Sequence, residues 1–184
     1  MEYEGYRFDE KFLVIKNGDI DQYLNKEEAE ELRKIKEKCG FSLLAYCLMS
    51  NHIHLQIKTK EVEIWRLMQQ INLFYAKYFN FKYDLVGHLF QGRYFSKIIE
   101  DNLYNLGVNR YIHLNPVAAS IVNKAELYKQ SSYSVYLGLK NDNLIDQEII
   151  LSYFENNRKL YKKFSESEEI NKKLDQEIRD ECEL

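Results

Sequence analysis

The stretch from His52 to Lys58 constrains the fold more than any other part of this chain. Polar side chains at positions 52, 54, 56 and 58 alternate there with Ile53, Leu55 and Ile57. Because successive side chains of a β-strand point to opposite faces, the alternation predicts a strand with one apolar and one polar face. The segment before it, over 41–49, is almost entirely apolar, which favours a strand that is covered on both faces in the centre of a sheet.

Strands and helices alternate along most of the chain. We predict a strand over 12–16 closed by a turn at 17–18, helices over 26–39 and 61–81, a strand over 93–99, and a helix that begins after Asp101 and is ended by Pro116. The β-α-β-β-α-β order indicates an α+β, ferredoxin-like fold, with an antiparallel sheet and helices packed on one face. We assign residues 1–140 to this domain and 141–184 to an acidic, helical C-terminal extension.

The overall charge does not favour a broadly basic nucleic-acid-binding protein, since the net charge is −3 and the pI is about 5.9. The charge is unevenly distributed, however. Residues 82–140 hold seven basic and four acidic side chains, whereas residues 141–184 hold seven basic and twelve acidic ones. An acidic tail therefore masks a local positive region. With no apolar run of membrane-spanning length and no signal-peptide pattern, we expect a cytoplasmic protein that does not bind membranes.

Two pairs of residues suggest chemistry. His52 and His54 stand at i and i+2, so on a strand their imidazoles leave the same face. Tyr111 and Asn115 stand at i and i+4, so on a helix they share one stripe. Two imidazoles and an amide can hold a divalent metal, and a phenol beside that metal is a candidate nucleophile. The spacing alone leaves two alternatives to these roles. The histidines could serve only as hydrogen-bonding groups, and Tyr111 could be only a packed, half-buried ring.

Four further residues are candidate DNA contacts. Arg93 follows a glycine-containing loop and Lys97 lies on the same face of the predicted strand, so both are candidates to contact phosphates. Tyr94 is a candidate for base stacking, and Arg110 precedes the candidate nucleophile. A surface salt bridge is the alternative for Arg93, and core packing is the alternative for Tyr94. We interpret Gln56 as an ordinary solvent-facing strand residue rather than a partner of the site.

Three ordered blocks of sequence closely resemble the single-tyrosine HUH transposases, and most of all the REP-associated tyrosine transposases. They are YCLMSNHIH at 46–54, GHLFQGRY at 87–94 and RYIHLNPVAA at 110–119. The resemblance covers about residues 10–138. It implies a ferredoxin-like fold in which His52, His54 and Asn115 bind Mg²⁺ or Mn²⁺. It also implies that Tyr111 is the nucleophile and forms a 5′-phosphotyrosine link to DNA.

We therefore expect a metal-dependent transposase and endonuclease that cuts and rejoins single-stranded or hairpin DNA. Two alternatives stay open at this point. One is a domesticated relative that binds palindromic repeats without cutting them. The other is a metal phosphodiesterase that uses water and in which Tyr111 is structural. The resemblance also allows a homodimer.

Overall fold

A four-stranded antiparallel sheet lies at the centre of the protein, with the strand order β2-β3-β1-β4. The computed structural model describes residues 10–16, 26–50, 52–90, 94–167 and 172–182. The β-α-β-β-α-β order is confirmed as a ferredoxin-like arrangement, with helical segments following it. The strands and helices are β1 (Glu10–Lys16), α1 (Lys26–Cys39), β2 (Ser42–Leu48), β3 (His52–Lys58), α2 (Ile64–Tyr83), β4 (Phe95–Ile98), α3 (Asn102–Ala118), α4 (Tyr133–Tyr136), α5 (Gln147–Leu151), α6 (Arg158–Glu166) and α7 (Lys172–Cys182).

Helices cover both faces of the sheet, and this corrects the prediction that they lie on one face. The apolar face of β3, with Leu55 and Ile57, packs with Leu67 and Met68 of α2 in one hydrophobic cluster. Helix α3 covers the opposite face, and its Tyr111 is part of a second hydrophobic cluster. Other members of this cluster, from β2 and α3, are Ala45, Cys47, Val108 and Ile112. The polar face of β3 is therefore covered by a helix rather than by solvent.

Strand β2 is buried on both faces, as predicted, but it lies at the edge of the sheet and not at its centre. Later segments of the chain cover this edge with hydrogen bonds. The Leu48 amide donates to the Gln130 carbonyl at 2.9 Å, and the Asp146 amide donates to the Leu43 carbonyl at 2.9 Å. A strand edge needs such partners when it is removed from water. The pattern of apolar residues predicts the burial of β2 but not its neighbours.

Residues beyond 140 belong to the same core. Among them, Leu144, Ile150 and Tyr161 are buried in the same hydrophobic cluster as Leu55 and Ile57 of β3. Ile178 of α7 is buried in the second cluster, to which Tyr111 also belongs. The predicted boundary between 140 and 141 therefore does not separate two independent cores.

Helix α3 begins as its sequence predicts and ends later. The Asp101 side chain accepts a hydrogen bond from the Tyr104 amide at 2.8 Å, which caps the first turn. Pro116 was expected to end the helix, but it lies inside the last turn, and α3 continues to Ala118. The proline ring fixes φ at a value that a helix also uses, so the backbone can continue as a helix. The missing N–H of Pro116 costs one hydrogen bond in the last turn.

Gly40 follows α1 with φ +62 and its amide donates to the Lys36 carbonyl at 2.9 Å, as expected of a glycine that terminates a helix. The turn predicted at 17–18 lies outside the described residues. Within the described ranges, no helix is both long and apolar enough to cross a lipid bilayer.

Candidate active site

The two histidines of β3 face each other through their Nε2 atoms. These atoms are 2.8 Å apart, and the rings are perpendicular with centroids 4.5 Å apart. His54 is buried, whereas His52 is half-buried at the start of the strand. A hydrogen bond between the rings requires a proton on one Nε2, whereas a shared cation requires both nitrogens to be unprotonated. The pair can thus act either as a hydrogen-bonded couple or as two ligands of one metal ion.

Burial, and then the neighbouring His52, lower the pKa of His54 well below its usual value. His54 is therefore neutral at physiological pH, which is the form that binds metals. Among the described side chains, no group of three His, Cys, Asp or Glu residues is arranged to hold a metal ion.

Tyr111 lies against the histidine pair. Its ring is perpendicular to that of His54, with centroids 5.6 Å apart, and the residue is 8% exposed. Asn115 follows one turn later on the same helix and is half-buried. Tyr104, the other tyrosine on this stripe, instead lies beneath the Lys97 ammonium, 5.2 Å from the centre of its ring. The described ring contacts therefore place Tyr111 beside His54 and Tyr104 beside Lys97.

The interpretation of Gln56 as a solvent-facing strand residue is wrong, because its side chain is completely buried. Its Nε2 donates to Asn105 Oδ1 at 2.6 Å and to the Asn105 carbonyl at 3.0 Å. Its Oε1 accepts from Asn109 Nδ2 at 2.8 Å. These two asparagines of α3 were missed by sequence reasoning. Their spacing of i and i+4 on one helix, facing the polar side of β3, is the signal that could have identified them.

The hydrogen-bonded network continues from Asn109 through three more buried groups, one of them in the C-terminal region. Tyr161 of α6 donates to Asn109 Oδ1 at 2.7 Å. Since its only proton is used there, the Tyr161 hydroxyl accepts from His113 Nδ1, at 2.7 Å. His113 Nε2 then accepts from Ser132 Oγ, also at 2.7 Å. Burial lowers the pKa of His113 to about 3, so this histidine is a neutral member of the network.

The β-ladder determines which residues of β4 share a face with the histidines. Val14 pairs with both His54 and Phe95, and so Phe95 and, two residues on, Lys97 lie on the histidine face. Phe95 is 39% exposed, and sequence reasoning missed it. Tyr94 packs instead against the cluster on the opposite face, which does not fit its predicted role in base stacking at this site. Arg93 lies outside the described residues.

Arg110 also differs from the prediction. It is buried and forms an ion pair with Asp175 of α7, and its Nη2 donates to the Ser167 carbonyl at 2.9 Å. Because Arg110 and Tyr111 are adjacent on a helix, their side chains point in directions about 100° apart, so the arginine turns away from the histidine pair. A direct contact between Arg110 and DNA does not fit this arrangement.

Known proteins resemble this chain in structure and in sequence. A solved structure of a REP-associated tyrosine transposase bound to a REP hairpin matches with a TM-score of 0.57 and 20% identity, covering 80% of this chain and 93% of that one. A putative transposase from Deinococcus radiodurans R1 matches with a TM-score of 0.39 and 20% identity, covering 55% and 87% respectively. No curated protein matches the chain. The family model described as IS200-like transposase matches residues 16–115, which is more than half of the sequence. The chain therefore belongs to the IS200-like transposase family.

Proposed function

We propose that this protein cuts and rejoins single-stranded or hairpin DNA through a covalent link to Tyr111. The observation that carries the proposal is the contact between the Tyr111 ring and His54, whose Nε2 lies 2.8 Å from that of His52. A phenol is a weak nucleophile at neutral pH because its ordinary pKa is about 10. A cation held by the adjacent histidines would compensate by neutralising charge on the attacked phosphate.

The residues present fit such a cation. Two nitrogen ligands at about 2.1 Å from one ion and about 90° apart are separated by about 3 Å, close to the observed Nε2 separation.

Asn115 is the proposed third ligand. It lies about 6 Å beyond Tyr111 along α3, while His52 lies about 7 Å beyond His54 along β3. The two elements run in opposite directions, since Gln56 contacts Asn105 and His54 contacts Tyr111. Asn115 is thereby in register with His52. A mixed nitrogen and oxygen ligand set suits Mn²⁺ or Mg²⁺.

The reaction balances without an external energy source. The Tyr111 oxygen forms a bond to phosphorus, and the bond from phosphorus to the 3′ oxygen of the DNA breaks. The tyrosine loses its proton and the departing 3′ oxygen gains one, which leaves a 5′-phosphotyrosine and a 3′ hydroxyl. Attack by a 3′ hydroxyl reverses these changes. Because one phosphate ester replaces another, rejoining needs no ATP.

Two described side chains support a DNA strand on the histidine face. Lys97 supplies a positive charge, and the exposed ring of Phe95 supplies a surface for base stacking. We propose that Arg93, which precedes them by two and four residues, adds a phosphate contact. The similar solved structure contains a REP hairpin, and hairpin DNA is for that reason the substrate class that we propose here.

A denaturing gel tests the proposal. Hairpin oligonucleotides with single-stranded flanks are incubated with the parent protein and Mn²⁺, and we expect a covalent protein–DNA adduct. Tyr111→Phe should bind DNA with unchanged affinity and form no adduct, because it keeps the ring but lacks the attacking oxygen. Tyr104→Phe is the matched control and should retain the adduct.

Each alternative predicts a different gel. Cleaved DNA without an adduct would show that water is the nucleophile and that Tyr111 is structural. A mobility shift on a native gel, without cleavage on the denaturing gel, would identify a binding protein. Mass spectrometry of tryptic peptides locates the link, and a nucleotide on any peptide other than the one that begins at Tyr111 would overturn the assignment.

A further inference from the structure

Helix α3 carries two stripes of polar side chains, and the proposed reaction uses only one of them. Tyr111 and Asn115 form the first. The second consists of Asn105, Asn109 and His113, which follow one another at intervals of four residues. We call this second set the anchoring stripe. All three of its members are buried, and they form hydrogen bonds with Gln56, Tyr161 and Ser132.

We propose that Gln56 is a positioning residue for DNA cleavage, since its side-chain amide fixes α3 on β3 and so aims Tyr111 at the histidine pair. This inference rests on the proposed function and deepens it. Gln56 itself would touch neither the metal nor the DNA.

One amide group holds two successive turns of the helix. Gln56 donates to Asn105 and accepts from Asn109, at 2.6 and 2.8 Å. Only one orientation of the amide satisfies both asparagines. Rotating it by 180° would bring its oxygen against two oxygens of Asn105 and its NH₂ against the NH₂ of Asn109. The contact therefore specifies one position of α3 along the strand.

The contact of Gln56 with the two asparagines lies close to the histidine pair, and it joins the same strand and helix, β3 and α3, that carry His54 and Tyr111. Along β3, Gln56 lies about 7 Å from His54. Along α3, Tyr111 lies about 6 Å beyond the midpoint of Asn105 and Asn109. The amide contact and the contact between His54 and Tyr111 are thus two matched points on the same pair of elements. Fixing the first constrains the second.

A small rotation of α3 would be enough to disturb catalysis. Side chains extend about 5–6 Å from a helix axis, so a rotation of about 10° moves a side-chain tip by about 1 Å. An error of about 1 Å in the position of a reacting group can lower the rate by about 100-fold. DNA binding depends on surface contacts and is much less sensitive to such a rotation.

Gln56→Met tests the inference, since methionine has a similar shape and no amide. Gln147→Met is the matched control, because Gln147 is a half-buried glutamine that accepts a hydrogen bond from Arg158 and touches neither β3 nor α3 by that bond. Asn105→Ala is a milder second variant that keeps the backbone acceptor of Gln56. We would measure the single-turnover rate of adduct formation, the Kd for hairpin DNA in EDTA, and hydrogen exchange of the α3 amides without metal or DNA.

For Gln56→Met we expect a rate that is about 30- to 100-fold lower, a Kd within about twofold of the parent, and faster exchange in α3. Gln147→Met should match the parent in all three measurements. Adduct formation by Gln56→Met at the parent rate, or an equal loss of rate and DNA affinity, would overturn the inference. If Gln56→Met does not fold, Asn105→Ala decides by the same criteria with a smaller expected loss. A parent protein that forms no adduct would overturn the proposed function, and hydrogen exchange would then decide whether Gln56 fixes α3 at all.

Discussion

Tyr161→Phe should destabilise the protein strongly although it removes a single oxygen atom. Tyr161 is completely buried, and its hydroxyl joins Asn109 to His113 through two hydrogen bonds of 2.7 Å. Phenylalanine keeps the ring and its stacking on Tyr136, whose ring centroid lies 4.8 Å away. The substitution therefore isolates the contribution of the hydroxyl group.

The magnitude follows from what the hydroxyl contacts. Removing the hydroxyl leaves two buried partners without their hydrogen bond, Asn109 Oδ1 and the N–H of His113 Nδ1, and each costs about 1–2 kcal/mol. We therefore expect the free energy of unfolding to fall by about 2–4 kcal/mol. For a chain of this size each kcal/mol lowers the Tm by about 2–4 °C, so the expected decrease is about 4–16 °C.

Urea denaturation followed by circular dichroism measures the effect, with Tyr153→Phe as the control. Tyr153 is 42% exposed and its hydroxyl donates to Asn102 Oδ1 at 2.8 Å. Removing this exposed hydroxyl should cost less than about 0.5 kcal/mol. If the two variants lose the same stability, buried hydrogen bonds do not stabilise this region in the way that we infer.

Other predictions concern charge and chemistry. Burial raises the pKa of Tyr161 well above its usual 10.0, so that this tyrosine ionises more readily in the unfolded state and the protein loses stability as the pH rises above 10.0. Between pH 9 and pH 11 the parent should therefore lose about 1.4 kcal/mol more of its free energy of unfolding than Tyr161→Phe does. Urea denaturation at both pH values measures the difference. His52→Ala, or EDTA, should abolish adduct formation while the fold is retained, and undiminished cleavage in either case would exclude the metal site. Replacing Arg93 and Lys97 with alanine should reduce the salt dependence of DNA binding by at most about two units of slope, whereas an unchanged slope would place the phosphate contacts elsewhere. Arg110→Met should leave the Kd for DNA unchanged and make α7 more sensitive to trypsin; a weakened Kd would restore Arg110 as a DNA contact.

The sequence predicts the elements of this fold well because their signals are local. Strand β3 shows strict alternation, and α3 has a capping aspartate at Asp101. The position of β2 in the sheet could not be predicted in the same way. Its burial on both faces comes partly from residues such as Ile145, which pairs with Leu43 as an isolated β-bridge. Apolar composition indicates that a strand is covered but does not identify what covers it.

The same difference between local signals and tertiary contacts decides which parts of the candidate site could be predicted. The pairs formed by His52 with His54 and by Tyr111 with Asn115 follow from the periods of a strand and a helix, and the structure brings His54 and Tyr111 together. Gln56 was interpreted as solvent-facing because a polar residue on the polar face of a strand usually is. Its burial depends on which helix lies over that face, a tertiary fact with no local signal.

The buried network is completed by Tyr161, which is synthesised later than its partners Asn109 and His113. Tyr161 and His113 are 48 residues apart in sequence. At about 5–20 residues per second, α6 leaves the ribosome about 2–10 s after His113 does. Until then the polar groups of Asn109 and His113 have only water as a partner where Tyr161 will later bind. An incomplete polypeptide can thus contain every proposed reacting residue while α3 still lacks the two hydrogen bonds that Tyr161 supplies.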